Sequence, residues 1–467
     1  MRVAARILDR FAFARFAVVA AALALAAAVD APLAWDGAYY LFRVLDDRAP
    51  FVVFGRAPIA PLHWPPIVAS SFTDNLAIPR FAFSAAYALV PLAALGLCWR
   101  LAKREHAPLL VWPTIGICLV CLPGQFFFVS EAIIATQLCW PVFLALMLPT
   151  SIRARLLAAL LGLAALWLHP ISAALFATVS VALLARGLLH TDRRRWLLAS
   201  GIVAGCGSLG RLLVPLSPYE AQQASEALRD LSDAGWAIAP PALAVLIVLV
   251  VVGLIAEPRL ARTEQRHQVL VWTGLTLAGA LLVVWASIPT LWVEAVRFRT
   301  VIPLLTLPLL GFAALDLGRA ERRPDQGWGE STARNRARAV TVSALVFALA
   351  LVAQAVGWRG MTLALEREIA RAPGACMDAS TSVAGRGPAA RVLALTPHSI
   401  LLQSRSPNTV HLQDARCDSG QDPERGAGGM AGGPLVWIYR GAECGGWFDL
   451  HRIEPHLAKE MVALPFC

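Results

Sequence analysis

The amino-acid sequence predicts an all-α polytopic membrane protein with about eleven transmembrane helices, its N-terminus inside and its C-terminus outside. A small α/β extracytoplasmic domain follows at the C-terminal end. Three observations carry this. Hydrophobic residues make up 58% of the 467-residue chain and charged residues only 15%, with a positive mean hydropathy that soluble globular domains rarely show. Apolar runs of the length needed to cross about 30 Å of hydrocarbon recur along the chain. Arginine and lysine, finally, collect in every second loop.

The apolar runs lie near 11 to 29, 81 to 99, 107 to 128, 131 to 148, 154 to 168, 171 to 189, 196 to 215, 237 to 256, 268 to 288, 300 to 317 and 339 to 358. The first has the basic flank and small residues of a signal peptide, but ten later spans need an entry helix, so it reads as a retained membrane helix. The fifth and sixth form one long run, which His169 and Pro170 split, because proline disfavours a continued helix at the residue before it. One set of alternate loops holds Arg2, Arg6 and Arg10, then Arg100, Lys103 and Arg104, Arg153 and Arg155, Arg193 to Arg195, Arg259 to Arg266, and Arg319 to Arg338. By the positive-inside rule these loops are cytoplasmic. The net charge of +10 is then topology, and its scatter over short loops argues against a nucleic-acid partner.

Residues 1–358 form the membrane domain in this reading and 359–467 the outer domain. Within the first, the outside loop 30–80 is rich in Trp, Pro and Phe, a composition suited to short helices at the headgroup level. In the tail, RVLALTP (391–397) and PLVWIYRG (434–441) read as short buried strands. Cys376, Cys417, Cys444 and Cys467 all fall there, an even number on the oxidising side, so two disulfides with three alternative pairings are expected. Cys118 and Cys121 spell CxxC inside an apolar run and read as packing residues. The glycines between Gly420 and Gly433 lack a following GK[ST] and read as a loop, not a phosphate cradle.

Polar groups at the outer face are where chemistry is sought, since ionisable residues at membrane depth are costly and are kept for pairing or function. The first outside loop opens with WDGAYYLF, Trp35 to Phe42. Asp36, at the mouth of an apolar bundle with Tyr39 and Tyr40 beside it, has a functional reading as a general base and a structural reading as a helix-capping or loop carboxylate in water. Glu131 follows Ser130 in the next outside turn. Its structural reading is a first-turn acid on a helix capped by Ser130; its functional reading is a second acid that orients an acceptor or holds a cation. Arg297 and Arg299 offer guanidinium forks to a phosphate or pyrophosphate, or else snorkel to lipid or pair with Glu294. Arg56, His63 and His169 complete the candidates, Arg56 as a further phosphate ligand and the histidines, with the tyrosines, as pocket residues.

The order of these features resembles the GT-C superfamily of polytopic glycosyltransferases: an inside N-terminus, one span, a long outside loop opening with Asp, many spans and an outer C-terminal domain. The resemblance covers the whole chain in architecture and rests, residue by residue, on Asp36 with Tyr39 and Tyr40, on Glu131, and on Arg297 and Arg299. It implies Asp36 as the acid–base residue, Glu131 as the second-loop acid, and the arginines as ligands of a polyprenyl-phosphate-linked sugar donor. The chain lacks the paired acids found in the second loop of metal-dependent members. No particular cofactor is therefore implied, and a divalent cation is left as the alternative.

Compartment logic favours a lipid donor independently, because nucleotide sugars are made inside while every candidate residue lies outside. The expected activity is transfer of that sugar to a lipid, glycan or protein acceptor on the outer face of the cytoplasmic membrane. Ala and Arg richness indicates a high-GC bacterium, making that face periplasmic. A transporter or flippase of a lipid-linked or anionic substrate is the first alternative, but calls for repeats and midplane charges that the halves do not display. A non-catalytic envelope protein using the tail as a binding module is the second.

Overall fold

The computed structural model describes residues 16–34, 36–52, 55–73, 75–102, 106–120, 129–189, 193–215, 264–288, 305–322, 330–371, 376–378 and 411–413, with a few helical residues between 243 and 251. The described chain is overwhelmingly helical. α1 (Phe16–Ala28) leads through a 3₁₀ turn into α2 (Asp36–Asp47), and a second 3₁₀ turn, Ala57–Leu62, precedes α3 (Trp64–Ser70) and α4 (Ala77–Ala102). α5 (Val111–Ile115) sits between a 3₁₀ and a π turn in the apolar stretch Ala107–Leu119. Then come α6 (Glu131–Met147), α7 (Ile152–Leu168), α8 (Ser172–Leu189), α9 (Arg194–Leu213), α10 (Glu264–Ala286), α11 (Thr306–Arg322) and α12 (Glu330–Arg371).

Five of these, α4, α8, α9 and the apolar parts of α10 and α12, are long and apolar enough to cross a membrane. α1, Ala107–Leu119, α6 and the start of α11 are apolar but shorter. α7 ends at Leu168 and α8 starts at Ser172, so the chain breaks at His169 and Pro170 as proline chemistry requires; His169 has extended backbone and its Nδ1 accepts from the Ile171 N–H at 3.2 Å.

α6 is the central helix. Every residue except Leu138 and Leu146 is buried, as an all-round apolar pattern demands. α7 is the opposite case. Only Ala158, Gly162, Ala165 and Leu168 are buried, while Leu156, Leu157, Leu160, Leu163 and Trp167 stay exposed. A small-residue stripe turned inward and leucines turned outward is how helices associate when the surroundings are themselves apolar. α8 and α9 are tied by Ser180, which donates to the Gly201 carbonyl at 2.7 Å, and Ser208, which donates to Ala173 at 2.7 Å. Gly116 lets α6 approach the π turn, since a Cβ there would lie 2.4 Å from Trp140 Nε1.

Ionic contacts gather at the two ends of the bundle. At one end Arg80 meets Asp30 at 3.3 Å and Arg56 meets Glu131 at 3.1 Å. At the other, Arg336 grips Asp316 bidentately, its Nη2 donating to Oδ1 at 2.8 Å, while Trp112 Nε1 donates to Oδ2 at 2.8 Å. Arg193 also caps α6 at that end, donating to the Met147 and Leu148 carbonyls at 3.0 and 2.7 Å.

α12 runs unbroken to Arg371, so the boundary at 358/359 falls inside a helix: hydropathy drops where the apolar surface ends, whereas the hydrogen-bond ladder continues. Ser130 occupies the N-cap position of α6, yet its side chain makes no capping bond. In the tail, the described strands are β1 (Cys376–Asp378) and β2 (His411–Gln413), paired in parallel. The segments 391–397 and 434–441 lie outside the described residues, as do Cys417, Cys444 and Cys467. Cys98, Cys118, Cys139 and Cys206 are free thiols.

Candidate functional site

α2 begins at Asp36, whose carboxylate complements the positive end of the helix dipole. Its apolar positions Ala38, Leu41, Phe42, Val44 and Leu45 are buried against the bundle, which fixes the helix rotation. Gly37 sets its approach. A Cβ there would stand 1.8 Å from the Pro32 carbonyl oxygen and 3.1 Å from Val129 Cγ2, so only glycine lets α2 seat this closely. Asp36 is half-buried and lies one helical turn from Tyr39 and Tyr40.

Tyr40 is buried, and its hydroxyl donates to Glu131 Oε1 at 2.8 Å. The other carboxylate oxygen takes the Arg56 guanidinium at 3.1 Å. Glu131 and Arg56 are each 8% exposed in their side chains, so this is a buried ion pair with a tyrosine closing it. Burial, with the Glu131 and Asp36 carboxylates adding to it, pushes the Tyr40 hydroxyl well above the usual phenol range. Tyr39 is raised chiefly by burial, opposed by Arg43. Tyr40 is therefore a hydrogen-bond donor, not a base.

His63 is fully buried beside this group. Its Nε2 and the Tyr87 hydroxyl share a 2.9 Å hydrogen bond, its ring stacks on Phe83 at 6.1 Å, and the Tyr40 ring stands edge-on at 6.0 Å. Burial pushes the imidazole down to about 4, so it is neutral at physiological pH. Its Nδ1 has no hydrogen-bond partner among the described residues. Phe51 packs edge-on against both Tyr39 and Tyr40, at 5.4 and 5.5 Å.

Six of the sequence candidates thus share one end of the bundle: Asp36, Tyr39, Tyr40, Arg56, His63 and Glu131. The 3₁₀ turn that follows Arg56 packs against α7, whose last residue adjoins His169, but the hydrogen bond described for His169 is the local one to Ile171. Arg297 and Arg299 lie outside the described residues. Among the described residues no three His, Cys, Asp or Glu side chains converge on a metal position.

Chemically, the acids divide the labour. Glu131 is bound on one oxygen by Tyr40 and on the other by Arg56, the arrangement of an anchor. Asp36 is half-buried and the more exposed of the two carboxylates. The sequence reading missed Tyr87, Phe83 and Phe51. A signal existed for Tyr87: the chain holds only five tyrosines, and a lone hydroxyl inside an apolar run needs a partner. It also missed the charge cluster in which Arg80 pairs with Asp30 and Arg359 pairs with Glu366 at 2.9 Å. Burial, offset by Arg80 and Arg359, raises the Asp30 carboxyl to about 6.

No family profile matches the chain, and neither a curated protein nor a solved structure is significantly similar to it.

Proposed function

We propose that this protein is a membrane glycosyltransferase that moves a sugar from a polyprenyl-phosphate donor to an acceptor hydroxyl or amine at the outer face of a bacterial cytoplasmic membrane. The observation that carries the reading is that Glu131 binds Tyr40 and Arg56 at one end of a helical bundle, one helical turn along α2 from Asp36. Arg193 and Arg336 lie at the opposite end, where basic residues of the inside face are expected.

In this mechanism the acceptor attacks the anomeric carbon, the bond from that carbon to the donor phosphate oxygen breaks, and Asp36 takes the acceptor's proton. Arg297 and Arg299 offset the charge that builds on the departing polyprenyl phosphate. Arg56 serves by holding Glu131, and through it Tyr40, so that α2 presents Asp36 in a fixed direction. The test is Asp36→Asn in purified protein supplied with polyprenyl-phosphate sugars. Transfer should fall by at least about 100-fold, within the range typical of lost general-base catalysis, with size-exclusion profile and melting unchanged. Full transfer by that variant would remove Asp36 from the mechanism.

A further inference from the structure

The short helix α3 differs from every other element of the first loop in where its apolar side points. Pro66 and Ile67 are buried where α3 packs on α4, whereas Trp64, Val68 and Phe72 are 53%, 51% and 84% exposed. Trp64 and Val68, at i and i+4, share one face of α3, and Phe72 extends the stripe in the turn just past the helix end at Ser70. Phe72 is the most exposed large apolar side chain among the described residues. α2 has no such stripe, since its apolar face is covered by the bundle and its outward side carries the Arg43–Asp47 ion pair at 3.0 Å.

The backbone of α3 is also prepared for surroundings poor in water. Pro65 and Pro66 remove two of the N–H groups that a helix start leaves unsatisfied. At the other end the Ser70 and Ser71 hydroxyls bend back onto the Ile67 carbonyl at 2.8 and 3.1 Å. From residue 57 to residue 73 there is no Asp, Glu, Lys or Arg, and the single histidine, His63, is buried. The stripe leads along the chain into α4, on which α3 packs and whose Ile78, Phe81 and Leu89 are 49%, 49% and 57% exposed, and α4 is one of the five helices suited to crossing a membrane.

From this continuity we infer that the Trp64–Val68–Phe72 stripe is a lipid-docking surface, seated in the outer monolayer between headgroups and acyl chains. A protein partner would call for charged rim groups that this segment lacks, whereas an uncharged apolar helix with aromatic anchors is what the boundary of headgroups and acyl chains takes. The consequence for the neighbouring site is positional. His63 caps α3 and Arg56 begins the turn before it, so seating α3 in the monolayer holds the Arg56–Glu131–Tyr40 group at headgroup depth. The inference does not depend on the glycosyltransferase reading.

The experiment places p-benzoylphenylalanine at Phe72, and separately at Leu89, in full-length protein reconstituted into phosphatidylglycerol–phosphatidylethanolamine nanodiscs. Irradiated protein is read by intact mass and by gel. Phospholipid adducts at both positions are expected, in similar yield. An adduct at Leu89 with none at Phe72 overturns the docking surface while leaving α4 in the membrane. A cross-linked dimer through Phe72 overturns it in favour of a second copy of the chain. Absence of adducts at Leu89, whatever happens at Phe72, removes the lipid-facing assignment of α4 on which the continuity rests. Val68 provides a second position on the same stripe should the Phe72 variant not elute as a single species.

Discussion

Removing the charge of Glu131 probes the site where its electrostatics are strongest. Arg56 lies 3.1 Å from the carboxylate, and both side chains are 8% exposed, so water screens the pair weakly. At an effective dielectric of about 20, charges at that separation attract by roughly 5 kcal/mol, most of which offsets the cost of bringing both out of water. The pair as a whole therefore contributes little net stability, whereas breaking it is expensive. Glu131→Gln keeps a carbonyl for the Tyr40 hydroxyl but leaves the Arg56 cation buried without its counter-charge, at about 3 kcal/mol. Arg56→Met leaves a buried carboxylate at about the same cost. The double variant removes both charges and should cost no more than about 1 kcal/mol, against a sum of about 6 for the singles, a coupling of about 5 kcal/mol. The assay is unfolding in mixed micelles with rising SDS, read by tryptophan fluorescence. Additive single costs, with coupling under about 0.5 kcal/mol, would refute the claim that these residues act as one buried pair.

Two of the shifted groups outside the spans, His63 and Asp30, predict opposed pH dependences. The folded His63 resists protonation to about 4 against 6.5 in the unfolded chain, so its contribution is present above 6.5 and is lost as pH falls toward 4, by about 3 kcal/mol. Asp30 binds its proton more readily when folded, about 6 against 3.8, so its contribution is present below 3.8 and is lost as pH rises through 6, by about 3 kcal/mol. Stability measured from pH 4 to 7 should accordingly lose its acid-side decline in His63→Phe and its opposing slope in Asp30→Asn; unchanged slopes in both would show that neither group titrates as its burial requires. Gly37→Ala introduces a methyl 1.8 Å from the Pro32 carbonyl and must displace α2, costing about 3 kcal/mol. Its melting temperature should drop well below that of a surface control such as Ala49→Gly, and an unshifted melt would mean that α2 does not seat there.

The helices were legible because their cause is local. Apolar runs of fixed length, and a proline after His169, specify where helices form and break without reference to neighbours, and the described helices follow those runs closely. The end of α12 was not legible, because hydropathy reports the surroundings of a helix and not its hydrogen bonds. In the site, Asp36 and Glu131 drew attention as lone acids beside apolar runs. What each touches did not follow from that. Glu131 carries the same formal charge whether it faces water or Arg56, and only the seating of the 3₁₀ turn beside α6 decides between them.

By itself, then, the sequence determined an apolar many-helix chain, the break at His169 and Pro170, the asymmetry of its basic loops and the short set of polar residues that chemistry has to draw on. Those are properties of composition and short-range spacing. Tertiary structure decided the pairing of Glu131 with Arg56 and Tyr40, the burial of His63 against Phe83 and Tyr87, the need for glycine at position 37 and the outward stripe on α3. Each depends on residues far apart in the chain meeting at distances of a few ångströms. Desolvation and ionic attraction change steeply over that range, so the environment that tunes each group exists only once the helices have packed.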